Sequence, residues 1–445
     1  MGKRSSDRTH LTSGMLSPPD APAFPLTDAG ESAGSSSEGG SGSGRGDVRA
    51  PLSGATVLLL AVAVGASAAS LYYGQPLLDS IRQDLGLGPA GAGLTVTITQ
   101  LGYAIGLILA VPLGDLLERR RLVTVMCCLN AGTLAVCGAS PVAAVFFAAS
   151  AVVGVFAATA QILVAFAANL AAPQERGRVV GTVMSGLLLG ILAARTVAGY
   201  LAEGVGWRGV YFCAAGLMLL LALALRLRLP QAPPVTDLRY TALLRSVAAL
   251  MREEPLLRVR SLYGALGFAG FSTLWAPLGL LLAGPPHHLN TGLIGLFGLA
   301  GMAGALGAPL AGRSADRGGA ARTTLLCAVL MTVSWLPTGF GGTSIPLLIV
   351  GIVVFDFACQ SLHITNQSEI YRLRPDARSR LTSAYMTCYF LGGVVGSALA
   401  SVIFETNGWT GDCVLGAAFG ACTVLVWGVQ KLRRRGTVGA PRDER

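Results

Sequence analysis

Lysine is almost absent: Lys3 and Lys431 are the only two among 33 basic residues. Together with the richness in alanine and glycine, that bias reads as gene composition, not chemistry. Charge of either sign is scarce too. Charged residues make up 13% of the 445 and hydrophobic residues 52%, with a mean hydropathy of +0.61. A soluble domain carries about 25% charged residues, so a protein globular in water is excluded. Metal-ligand spacings are missing. None of the nine cysteines forms a CxxC pair, and Cys127, Cys137, Cys213, Cys327, Cys359, Cys388 and Cys422 lie inside apolar runs. That excludes a zinc site or a disulfide framework. There is no G-x-x-x-x-G-K-[ST] phosphate loop, which excludes ATP hydrolysis by this chain. No HExxH motif or Cys/His cluster supports a membrane-embedded enzyme. The first 52 residues lack an apolar run behind a basic start, so they are not a cleavable signal peptide. Their Gly/Ser tract, from Gly34 to Gly46, is expected to be a disordered cytoplasmic tail.

What is present is a repeat. Residues 202 positions apart often match: Pro173, Arg176 and Arg178 return as Pro375, Arg378 and Arg380, and Gly190 returns as Gly392. Glu203-Gly-Val-Gly-Trp207 returns as Glu405-Thr-Asn-Gly-Trp409. With a slip of one, Asp115 aligns with Asp316. Self-similarity at a fixed spacing marks a duplicated unit. Each copy holds six apolar segments of about the 20 residues that a bilayer span needs. The first six are expected at 55–78, 92–117, 122–139, 142–170, 178–203 and 208–229. The second six are expected at 260–283, 290–313, 322–340, 344–371, 380–405 and 411–431. The boundaries that follow are a tail at 1–52, bundles at 53–229 and 256–432, a basic proline-broken loop at 230–255 and a tail at 433–445.

Arginine placement gives the orientation. With the N-terminus in the cytoplasm, the inner loops hold Arg119–Arg121, Arg176, Arg178, Arg226, Arg228, Arg239, Arg245, Arg260, Arg372, Arg374 and others, whereas the outer loops hold only Arg82 and Arg208. That asymmetry predicts both termini inside, in the cytoplasmic membrane. It also assigns the net charge of +10 to a membrane surface instead of nucleic acid.

Two charges lie deep within expected spans, Arg195 in the fifth and Asp356 in the tenth. An ionisable group there is costly and marks a functional position by default; the alternative is a fixed buried ion pair that specifies packing. Asp356, Gln360, His363 and Gln367 fall within an arc of roughly 60° on a helix. A polar stripe on an otherwise apolar span must face protein or water. Gln161 stands 202 positions before His363, and Tyr73 the same distance before Trp275. Tyr72, Tyr73, Gln75 and Trp275 are candidate cavity walls or ordinary packing residues. Gly295, Gly298, Gly301, Gly304 and Gly307 recur at every third position of the eighth span and predict close helix packing.

Gly114-Asp115-Leu116-Leu117-Glu118-Arg119-Arg120 and Gly312-Arg313-Ser314-Ala315-Asp316-Arg317 resemble the signature of the major facilitator superfamily, which follows the second and eighth spans. Leu116 replaces a basic residue and Glu118 a glycine of the family pattern. Leu71–Leu78, Arg176–Thr196 and Leu391–Ser401 resemble the YnfM-type branch, grouped with arabinose-efflux-like permeases. The Gly-Pro step that drug antiporters carry in the fifth span is absent, and Arg195 occupies that neighbourhood. The resemblance implies an all-α polytopic membrane protein of twelve transmembrane helices in two pseudo-symmetric six-helix bundles. It also implies a cytoplasmic gate formed by Asp115, Arg119, Arg120, Asp316 and Arg317, with Asp115 near the start of the eleventh span.

Two similar bundles around a midplane site predict alternating access by rocking. The expectation is a secondary transporter that exports a small organic molecule, with the proton gradient as energy source, no cofactor and a monomer sufficing. Arg195, Asp356, Gln360, His363, Gln367, Gln161 and Tyr73 would line its pathway. A membrane sensor of the same fold without net transport, or a facilitative importer, stays open.

Overall fold

The computed structural model describes residues 52–172, 174–234, 239–306, 319–374 and 378–438. The expected disordered tail, the second signature copy with Asp316 and Arg317, and the last seven residues lie outside them. Every element assigned among the described residues is helical. The first half comprises α1 (Gly54–Ala69), α2 (Leu78–Asp84), α3 (Pro89–Leu109), α4 (Leu113–Leu116), α5 (Arg119–Ala139), α6 (Ala143–Ala157), α7 (Thr159–Leu170) and α8 (Arg176–Arg228). A short helix, α9 (Tyr240–Glu253), stands in the expected central loop. The second half comprises α10 (Pro255–Ala283), α11 (Thr291–Leu306), α12 (Ala320–Val333), α13 (Trp335–Gly339), α14 (Ile345–Tyr371) and α15 (Arg378–Val438).

Eight stretches of helix are long and apolar enough to cross a membrane, and Gly54–Ala69 and Thr291–Gly304 are shorter apolar helices. Two of the eight cover 53 residues each. At 1.5 Å per residue that is about 80 Å, against a hydrocarbon core of about 30 Å, so neither can be one straight crossing. Each breaks at a glycine: Gly206 at φ 70°, ψ 170° and Gly408 at φ 62°, ψ −160°. This region of backbone space is essentially reserved for glycine. The two breaks are 202 residues apart and separate the expected fifth from sixth and eleventh from twelfth spans. With both long paths doubled and the two shorter helices included, the described residues hold twelve candidate crossings.

The expected first span is interrupted. α1 stops at Ala69, a turn follows, and a 3₁₀ segment over Gln75–Leu77 leads into α2. Pro76 lacks an N–H and its ring opposes the carbonyl four residues back, which stops a helix. In the second half, α10 runs on through Pro277.

Packing follows the repeat. In the first half, a Cβ on Gly65 would strike the backbone of Gly186 and Gly190, so α1 and α8 approach backbone to backbone. In the second half, Gly392 and Gly396 of α15 lie equally close to Ala265 and Ala269 of α10. Dispersion contact through small residues holds helices together where lipid removes the hydrophobic drive. Two further pairs join the halves, and each is the other's copy. α3 packs on α15, with Thr97 Oγ1 and Ser397 Oγ 2.9 Å apart. α8 packs on α11, with Thr196 Oγ1 donating to the Gly295 carbonyl at 2.9 Å. Leu220, Leu227, Leu336 and Leu425 are at least two-thirds exposed, as side chains facing lipid are.

Candidate functional site

Arg195 lies on α8 and is 2% exposed. Its guanidinium carbon sits over the Trp275 ring at 4.0 Å, Tyr72 at 4.8 Å and Phe271 at 5.6 Å. Its Nε donates to Gln75 Oε1 at 2.6 Å. The interruption after α1 is what delivers Tyr72 and Gln75 here, while Trp275 and Phe271 come from α10 of the other half. Cation–π contacts are worth about 0.5–2 kcal/mol each, which offsets part of the desolvation of the guanidinium. Nη1 and Nη2 are buried with no hydrogen-bond partner among the described residues.

Asp356 on α14 is 3% exposed, and its Oδ1 accepts from Trp275 Nε1 at 3.4 Å. Arg195 and Asp356 both contact Trp275. No ion pair links them among the described residues; Trp275 stands between, with its face under the cation and its N–H on the carboxylate. Room for this comes from α11. A Cβ on Gly301 would collide with Asp356 Oδ2 and with Trp275. Steps of three residues turn about 60° around a helix, so the glycine strip winds from one partner to another. Gly295 and Gly298 face α8, whereas Gly301 and Gly304 face Asp356 and α14.

The remaining stripe is half-buried. His363 Nδ1 lies 3.0 Å from Tyr385 Oη, and its ring lies 4.6 Å from that of Tyr389 on α15. Gln367 makes a weak contact with Met386 Sδ at 3.9 Å. Gln360 has no hydrogen bond among the described residues. Gln161 Nε2 donates to Tyr103 Oη at 3.3 Å, and the Tyr103 ring packs at 4.3 Å on Phe390 of the other half. Tyr73 is buried but does not reach Arg195; its neighbour Tyr72 does.

The signature after α3 folds back on its own half. Arg119 is 3% exposed, bonds the Gly114 carbonyl at 2.6 Å and pairs with Asp115 at 2.7 Å. Asn169, with its amide oriented to accept, also receives Arg119. Glu118 caps α5 by accepting from the N–H groups of Arg120 and Arg121, and it accepts from Ala232 N–H at 3.2 Å as well. Burial pushes this carboxyl up, but the three backbone N–H groups and the Arg120 charge outweigh it and hold its pKa below the usual range. Arg120 donates to the Leu229 carbonyl at 3.1 Å. The residue that replaces a family glycine therefore binds the chain leaving α8 to the first bundle.

Two features escape a reading of residues alone. Arg260, counted above among loop arginines, is 6% exposed and pairs with Glu369 at 3.2 Å while bonding Thr324 and Asn366. The signal was the repeat: 202 positions earlier stand Leu58 and Ala167, so one half carries a polar pair that the other lacks. Asp412, at the edge of an expected span, is fully buried, and neither oxygen has a partner among the described residues.

The profile described as Major Facilitator Superfamily matches residues 58–306 and 261–444. The transporter YgaY of Escherichia coli (strain K12) is 50% identical over 376 residues, covering 84% of this chain and 95% of that protein. Inner membrane transport protein YnfM of the same organism is 26% identical, over 78% of this chain and 83% of its own. A bacterial homolog of the human lysosomal transporter Spinster, solved in an inward-facing and occupied conformation, superposes with a TM-score of 0.71 at 14% identity, over 84% of this chain and 96% of that one. The two-fold-related helix pairs and the match across both halves converge: this chain is a member of the major facilitator superfamily, with that superfamily's fold.

Proposed function

We propose that this protein is a proton-coupled secondary transporter that moves a small organic molecule out of the cell by alternating access, with Arg195 and Asp356 at its central site. The observation that carries the reading is the meeting of Arg195, from the first half, with Trp275 and Asp356, from the second, at the junction between the halves. Charges this deep are costly unless used. Rocking of one half on the other would change the Arg195–Trp275–Asp356 arrangement directly, since its parts belong to different bodies. Asp356 is the residue whose proton would alternate with access, and Gln161, Gln360, His363 and Gln367 line the route. Arg119 and Arg120 with Asp115 belong to the end expected in the cytoplasm, together with Asp316 and Arg317. The name of YnfM, an inner membrane transport protein, supports the cytoplasmic membrane as location. A single chain supplies both halves, so a monomer suffices, and no cofactor enters the cycle.

Flux in proteoliposomes decides it. Solute movement that follows an imposed pH gradient supports the reading. Movement down the solute's own gradient, indifferent to pH, would make it a facilitator, and binding without movement a sensor. Reporter fusions at both termini test the orientation; a terminus active on the periplasmic side would refute it.

A further inference from the structure

We propose that the cargo of the central site is a flat organic carboxylate, held end-on by Nη1 and Nη2 of Arg195; this rests on the transport reading above. A buried guanidinium normally spends its N–H groups, because each one stripped of water and left unpaired is costly. Here the three rings lie against the group and Gln75 takes Nε, yet the edge formed by Nη1 and Nη2 has no acceptor among the described residues. Gln75 and the rings orient the guanidinium while leaving its fork unpaired. That fork matches the two oxygens of a carboxylate in spacing and plane, which a point-charge cation does not.

The surroundings describe the rest of the ligand. Phe271 stacks on Phe268 at 5.2 Å and 13°, and Phe268 stacks on Tyr389 at 4.2 Å. The His363 ring follows at 4.6 Å. This row of planes runs from the guanidinium toward the half-buried polar stripe, and its rings are what a flat apolar body bound to Arg195 would meet.

Charge balance then sets the coupling. The groups that face Asp356 are Arg195 from α8, Trp275 from α10 and Cys359 on its own helix, with Gly301 and Gly304 of α11 packed against it. Among the described residues Arg195 is the single cation there. An arriving carboxylate would leave two anions to one cation in a site nearly without water. Asp356 therefore takes a proton as the anion binds, and the loaded site keeps the charge of the empty one. Anion and proton then move in the same direction, so outward transport runs on the anion's own concentration gradient and carries a proton with it.

Calorimetry on the purified full chain in detergent tests this, with benzoate and 2-naphthoate as probes and benzamide and benzylamine as neutral and cationic controls. The expected result is carboxylate binding at least roughly tenfold tighter than either control, the range of one charge-assisted hydrogen bond. Comparison of buffers with different ionisation enthalpies should show proton uptake on binding. Arg195→Gln should lose the carboxylates, and Arg195→Lys should weaken them. Asp356→Asn should still bind them, without proton uptake. Should Arg195→Gln fail to fold, Asp356→Asn carries the test, since it keeps the cation and must bind. Absence of carboxylate binding by the unaltered chain, equal binding of benzylamine, or retained binding in Arg195→Gln overturns the assignment. Flux of a neutral or cationic solute without carboxylate binding would leave transport standing and this inference fallen; carboxylate binding without flux would do the reverse.

Discussion

Arg195 is held by neighbours from both halves, and that makes single substitutions informative. Arg195→Gln and Asp356→Asn should each elute from a sizing column in detergent as the unaltered protein does. Each should lower flux by about tenfold or more, since one charge-assisted hydrogen bond accounts for that much. Trp275→Phe keeps a ring beneath the cation but removes the N–H on Asp356 Oδ1, so a partial loss of flux is expected. Glu118 makes a prediction about pH. Its folded pKa lies below the ordinary carboxylate range, so its contribution is present above the unfolded pKa and disappears as pH falls through the folded one. Thermal melts of the unaltered chain and Glu118→Gln should therefore differ near neutrality, by about 1 kcal/mol as for other helix caps, and converge in acid. Arg195 and Asp356 were legible because a charge in mid-span has few other reasons to be there. Trp275 was legible only as a candidate wall, because the bond from its indole to a carboxylate leaves no trace in an apolar run. Arg260 was misread for a related reason: an arginine at the start of a span looks like a topology signal until Glu369 is found beside it.

At the scale of elements, the two long helical paths depend on single backbone positions. Gly206 and Gly408 occupy conformations that cost a side-chain-bearing residue about 1–3 kcal/mol. Gly206→Ala and Gly408→Ala should each lower the melting temperature in detergent, while Gly204→Ala, which has open space at its Cβ, should not. A neutral result at both hinges would remove the argument. The 202-residue spacing already predicted the pairing of these breaks, because the motif around each glycine is shared. The interruption after α1 was hidden by hydrophobicity: Leu71–Leu78 is apolar enough to read as continued span, and only Gly74 and Pro76 hint otherwise. The glycine strip of α11 predicted close helix packing but not how many partners it serves. Its 60° drift per step divides it between α8 and α14, and that division gives Asp356 its space.

For the whole molecule, contacts between the halves at the Glu203 end include Thr97–Ser397, Glu203 Oε1 with the Gly292 N–H at 3.1 Å, and an apolar cluster of Leu78, Ala92, Val96 and Ala276. Rocking must separate them. Thr97→Cys with Ser397→Cys, in a chain whose own nine cysteines are replaced, should form an oxidative cross-link that stops flux until a reductant restores it. Unimpaired flux with the bond formed would show that these bundles do not part there. The staple made by Glu118 and Arg120 reaches further. Because Leu229 and Ala232 are clamped to the first bundle, the covalent thread between the halves can be severed between positions 234 and 239 without losing any of that grip. Each fragment would keep its own six segments, and the paired faces of α3 with α15 and α8 with α11 would serve as mutual recognition surfaces. Two separately encoded pieces should then find one another in the membrane and co-purify as a working whole.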